Sequence, residues 1–88
     1  MYVVEFTKSA SKDLKKLPDY VQQRVKTALS SLRLDPFSEL IRYRKIKGHD
    51  SLYRIRLGDY RLVYQVKEGW LLILVIRVGH RGDVYRGI

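Results

Sequence analysis

Arg54 and Arg56 alternate with apolar residues before a Gly58-Asp59 pair, Arg61 follows it, and His80, Arg81 and Tyr85 come close to the end of the 88-residue chain. A guanidinium presents a planar fork of donors that fits phosphate oxygens, and it stays charged throughout the physiological range. Histidine, with an ordinary pKa of about 6.5, and tyrosine, through its phenol, move protons. Arginines that stabilise a pentavalent phosphorane beside a His80 or Tyr85 that handles protons supply what metal-free scission of RNA requires. Plainer roles fit the same residues. The arginines also serve as a solvent-facing stripe with splayed stems, and Tyr85 either stacks on a base, transfers a proton or pins the last segment to the core.

These side chains need a scaffold. If Gly58-Asp59 is a two-residue hairpin loop, Leu57 faces Tyr60, Arg56 faces Arg61 and Arg54 faces Val63. Tyr53, Ile55, Leu57, Leu62 and Tyr64 then share a helix-packed face and the three arginines share the other. Like charges directly opposed on a sheet cost roughly 0.2–1 kcal/mol, which a bound anion offsets. The glycine-flanked His80-Arg81 lies at a strand end, the usual place for groups that touch a ligand.

Upstream, Tyr2 to Phe6 reads as a strand, and Thr7 or Ser9 caps a helix carrying Ala10, Leu14 and Leu17. Pro18-Asp19 ends that helix and opens another, with Asp19 as N-cap, Gln22 as its capping-box partner, and Val21, Val25, Ala28, Leu29 and Leu32 on one face. Asp35-Pro36 stops it. Glu68-Gly69 turns the hairpin into Trp70 to Val78, whose continuous apolarity suits a central strand covered on both faces. The expected fold is α+β: an N-terminal strand and two helices packed on a mainly antiparallel, twisted sheet, as one domain over residues 1–88.

Composition narrows the function. The chain has 18 Lys and Arg against 9 Asp and Glu, a net charge of +9, which points to a polyanionic partner, nucleic acid first. Residues 1–41 are net +2 and residues 42–88 net +7, and arginine replaces lysine as the main base in the second half. With no cysteine and two histidines, neither a disulfide framework nor a metal-centred enzyme is expected, and no cofactor is called for. The longest apolar run is too short for the ~20 residues of a membrane helix, and the start carries no basic leader, so a cytoplasmic protein without a membrane partner is expected.

Lys45-Ile46-Lys47-Gly48, then Leu52-Tyr53-Arg54-Ile55-Arg56-Leu57-Gly58-Asp59-Tyr60-Arg61-Leu62-Val63-Tyr64, and finally Val78-Gly79-His80-Arg81 with Val84-Tyr85 together resemble the RelE/ParE toxin superfamily, more closely its RelE branch of messenger-RNA interferases. The resemblance spans essentially the whole chain. It implies a toxin of a type II toxin–antitoxin system that enters the ribosomal A site, cleaves messenger RNA there, and is silenced by an acidic RelB-like antitoxin. It implies catalytic roles for Arg54, Arg56, Arg61, His80, Arg81 and Tyr85; Arg44, Lys45 and Lys47, in the basic second half, are expected to bind RNA. Arg54 and Arg56 stand where well-known members have lysines. Arginine is a poor general base, so His80 is the preferred one. Longer members continue into a C-terminal helix beyond the tyrosine, so Tyr85 is expected to be held less firmly at a chain end of Ile88. Two rivals share the features: a ParE-like gyrase inhibitor without enzymatic activity, and a plain basic nucleic-acid binding module.

Overall fold

The computed structural model describes residues 1–86 and 88. Strand β1 (Val3–Phe6) leads into helix α1 (Lys8–Lys16), then α2 (Asp19–Leu34), a short β2 (Tyr43–Lys45), β3 (Leu52–Leu57), β4 (Tyr60–Lys67), a 3-10 turn (Glu68–Trp70) and β5 (Leu72–His80). The five strands lie in the order β1-β5-β4-β3-β2. β1 runs parallel to β5 and every other neighbouring pair is antiparallel. No helix among the described residues is long and apolar enough to cross a membrane.

Alternation along the strands builds the core. Ile55, Leu62, Tyr64, Val66, Ile73, Val75 and Val78 are buried on one sheet face, beneath Ala10 of α1 and Val25, Leu29 and Leu32 of α2. Thr7 caps α1 as expected. Its Oγ1 accepts the Ala10 N–H at 3.0 Å and donates to the Ile76 carbonyl at 2.9 Å, which fixes the helix start to β5. Beyond the reach of β1, α1 guards the outer edge of β5 through Asp13, whose Oδ2 accepts the Val78 N–H at 3.1 Å and the Arg77 Nε–H at 2.8 Å.

Four details differ from the sequence reading. The N-cap of α2 is Pro18, not Asp19; the Pro18 carbonyl receives the Val21 and Gln22 N–H groups, and the Gln22 amide reaches back to the Leu17 carbonyl. Trp70 lies in the 3-10 turn and is 82% exposed, because Leu71, at φ 49°, breaks the backbone before β5 begins at Leu72. β5 is buried on the helix side, while Leu72, Leu74 and Ile76 are only half-buried. Strand β2 was not foreseen. It is held by Tyr43, whose ring meets Phe37 and Tyr53 edge-to-face at 5.7 Å each.

Tyr53 in turn stacks on Tyr64 at 6.0 Å. Tyr64 is fully buried, and its phenol oxygen has no hydrogen-bond partner. Burial raises the pKa of Tyr64 well above the usual tyrosine value, and it raises that of Tyr53 in the same direction. Because a buried phenol holds its proton more tightly than the unfolded one, folding is indifferent to this group at neutral pH and loses stability as pH climbs beyond the ordinary tyrosine value of 10.0. Tyr64→Phe is therefore expected to raise stability by about 1 kcal/mol, by deleting an unsatisfied buried hydroxyl. Urea unfolding at pH 7 and pH 10.5 checks both effects, since the variant should also lose less stability between those two values. Asp13→Ala is expected to cost about 1–2 kcal/mol and to speed hydrogen exchange of the Val78 amide; unchanged exchange there would mean that Asp13 does not guard the edge.

Candidate nucleic-acid interface

The two-residue Gly58-Asp59 turn fixes the parity of the hairpin, and the expected register holds: Leu57 pairs with Tyr60, Arg56 with Arg61 and Arg54 with Val63. The third strand adds a pairing the sequence did not reveal, Arg44 of β2 opposite Arg54. On the sheet face away from the helices, one row therefore reads Arg44, Arg54, Val63, Arg77 across β2 to β5, and the next reads Arg56, Arg61, Gly79 across β3 to β5.

Gly79 leaves an opening in the second row. A Cβ built there would lie 3.9 Å from the Cβ of Val84, so the C-terminal turn folds over this face beside Arg61. Val84 is 1% exposed and anchors the turn, while its neighbour Tyr85 is 38% exposed. The turn is further held by Val84 N–H donating to His80 O and by Arg77 Nη1 donating to Arg86 O. Tyr85 thus sits in a turn held by its buried neighbour Val84 and by backbone bonds, with its own side chain exposed.

The hairpin turn also fixes two of the expected arginines. Arg61 is 8% exposed, the only buried charged side chain among the described residues. Its Nη1 donates to the Gly58 and Tyr60 carbonyls at 2.8 and 2.9 Å. The carbonyl between them, that of Asp59, receives the Arg81 N–H at 2.9 Å. Three successive carbonyls thereby orient the two residues. Gly58 takes φ +68°, and a Cβ there would come within 2.9 Å of Arg24 Nη1, so α2 touches the turn through a side chain that no motif had marked.

Charge compensation is confined to two arginines. Among the described residues Arg77 pairs with Asp13 and Arg86 with Asp83, and none of Arg44, Arg54, Arg56, Arg61 or Arg81 has a carboxylate within salt-bridge distance. Buried Arg61 without a counter-charge is the costliest of these, because two carbonyl dipoles replace a solvent shell. A phosphate at this face would supply the missing charge.

Other expected residues fall elsewhere. His80 pairs with Tyr60, and the two rings meet edge-to-face at 5.7 Å, so His80 occupies the side of the sheet opposite Arg56 and Arg61. Lys45 pairs with Tyr53 and is exposed on that same opposite side. Lys47 is exposed in the turn after β2. Arg44 alone of the three expected RNA contacts joins the arginine face. No group of three His, Asp or Glu side chains among the described residues is arranged to hold a metal ion.

Residues 4–85 match the family model described as the ParE toxin of a type II toxin–antitoxin system, parDE. The chain is 35% identical to Toxin RelE3 of Methanocaldococcus jannaschii, covering 93% of each. It is 34% identical to the mRNA interferase toxin RelE of Escherichia coli, covering 96% of this chain and 90% of that one. The fold matches the crystal structure of the intact E. coli RelBE toxin–antitoxin complex with a TM-score of 0.79 and 33% identity, over 91% of this chain and 96% of that one. With the arginine face resting on a sheet of this topology, the chain belongs to the RelE/ParE family of toxins from type II toxin–antitoxin systems.

Proposed function

We propose that the chain is a ribosome-dependent, metal-independent endoribonuclease that cleaves messenger RNA in the A site and acts in the cytoplasm. The observation that carries this reading is Arg61, a buried cation without a carboxylate partner, set opposite Arg56 and tied through one turn to Arg81. The resemblance to an mRNA interferase in E. coli supports the same reaction class. An RelB-like acidic antitoxin is the partner, and the net charge of +9 steers the two together.

In the proposed reaction the ribose 2′-oxygen attacks the adjacent phosphorus, the bond to the 5′-oxygen breaks, and Arg56, Arg61 and Arg81 stabilise the charge on the phosphorane. The 2′-hydroxyl gives up one proton and the leaving 5′-oxygen takes one. The upstream fragment then ends in a 2′,3′-cyclic phosphate and the downstream fragment begins with a 5′-hydroxyl. Tyr85, the residue after Val84, whose own side chain lies against Gly79 in the second arginine row, is assigned the proton handling in place of His80, whose ring lies against Tyr60 on the other side. The small, open sheet face orients a flexible strand poorly, and the ribosome supplies the orientation, which is worth up to ~7–11 kcal/mol in favourable cases.

Tyr85→Phe, which keeps the ring for stacking, is expected to slow single-turnover cleavage about 10²–10⁴-fold, and His80→Gln less than about threefold. The reverse order would return the base to His80. Arg81→Ala is expected to abolish cleavage with an unchanged circular dichroism spectrum. Arg61→Ala should abolish it and also cost about 1–3 kcal/mol of stability, because two carbonyls lose their donor. Sequencing of RNA ends after induction, repeated in vitro with EDTA, tests the class. Cuts inside translated codons that persist with chelator support the reading; DNA damage without such cuts marks a gyrase inhibitor, and 5′-phosphate products would reject the mechanism.

A further inference from the structure

The first row of the arginine face holds Arg54, to which the resemblance gives a catalytic role, and Arg44, expected to bind RNA, and it repeats the second row's arrangement. Arg44 and Arg54 face each other across β2 and β3 as Arg56 and Arg61 do across β3 and β4. Neither has a carboxylate partner among the described residues. Two opposed like-charged pairs on one small sheet roughly double the repulsion the fold has to bear.

β2 shows how the first pair is kept in place. It is three residues long, and its middle residue is Arg44. The preceding residue, Tyr43, turns to the opposite side and is clamped edge-to-face between Phe37 and Tyr53. Anchoring Tyr43 below fixes Arg44 above, opposite Arg54, on a strand otherwise too short to hold a long cationic side chain in register. Together with Arg42 and Arg56, Arg44 and Arg54 also border a groove of about 660 Å³ between α2 and the β2–β3 edge, so the rim of this face is open to an extended ligand.

The two rows are two residues apart along β3, ~6.7 Å at the usual strand rise. Successive phosphates of an extended single strand are spaced similarly. We infer that Arg44 and Arg54 form a clamp for the phosphate next to the scissile one, so that an RNA strand running along β3 sets one phosphate in each row. The inference rests on the proposed reaction for the identity of the scissile phosphate. It assigns Arg54 to holding the strand and leaves the reacting phosphate to Arg56, Arg61 and Arg81.

The test reads binding, not cleavage, with a 2′-O-methylated RNA pentamer at low salt followed by fluorescence anisotropy. One methylphosphonate, a neutral linkage, is moved stepwise along the pentamer. Wild type should lose about fivefold in affinity at two adjacent linkages. Arg44→Gln should lose about fivefold with the all-phosphate pentamer and lose sensitivity at one of the two linkages. Its slope of log K against log salt should become shallower by ~0.7, the value for one single-strand phosphate contact. Lys12→Gln, on exposed α1, controls for net charge and should change neither. Additive losses for Arg44→Gln and methylphosphonate, equal effects of Arg44→Gln and Lys12→Gln, or no binding by wild type would each overturn the clamp. A chain that binds as described yet leaves messenger RNA intact would overturn the reaction and leave the clamp standing.

Discussion

Repulsion between arginines is the constraint around which this small fold is arranged. Arg44 opposes Arg54 and Arg56 opposes Arg61, on adjacent strands and with no acid between them. Each such pairing costs roughly 0.2–1 kcal/mol. On the reverse of the same three strands sit Phe37, Tyr43, Tyr53 and Tyr64, in contacts worth about 0.5–1.5 kcal/mol each beyond their burial. The aromatic side outweighs the charged side, and because side chains alternate, holding one holds the other. The orphan hydroxyl of Tyr64 is a cost within that arrangement, outweighed by a ring that fills the centre of the core.

The arginines divide by what they touch. Arg77 is spent on structure: Asp13 neutralises it, and its remaining reach holds the Arg86 carbonyl and thus the C-terminal turn. Arg61 does both jobs, since one end is bound to the hairpin carbonyls while its charge stays uncompensated. Arg44, Arg54, Arg56 and Arg81 lack carboxylate partners among the described residues. A chain whose surface merely needed solubility would not bury one of its cations beneath the face that carries the others.

Parity explains what the sequence could and could not disclose. The Gly58-Asp59 loop admits one register, so the positions of Arg54, Arg56 and Arg61 followed from counting, as did the apolar face beneath them. The same counting fails past β4, because the 3-10 turn resets the phase before β5 and a shift in pairing, opposite Val63 and Tyr64, resets it again within β5. His80 consequently lands on the Tyr60 side. A three-residue strand has too few positions to show a period, which hid the Arg44–Arg54 pairing, and the Asp13–Arg77 contact joins residues 64 positions apart in the sequence. The apolar stretch from Trp70 misled for a simpler reason: hydrophobicity records burial, and Trp70 is not buried.

β2 ends its pairing at Tyr43 opposite Ile55, so among the described residues no strand lies beside the border of β3 at Arg56 and Leu57. Bare sheet borders invite a second copy to add its own strand, and charged side chains along the border are a common guard against such stacking. Here the guard is Arg56, one of the arginines to which the proposed reaction assigns the phosphate. Neutralising them with a polyanion removes the electrostatic barrier that keeps copies apart. On the proposed function, solubility is therefore coupled to occupancy, and a partner that shields this chain has to cover the border as well as the charge.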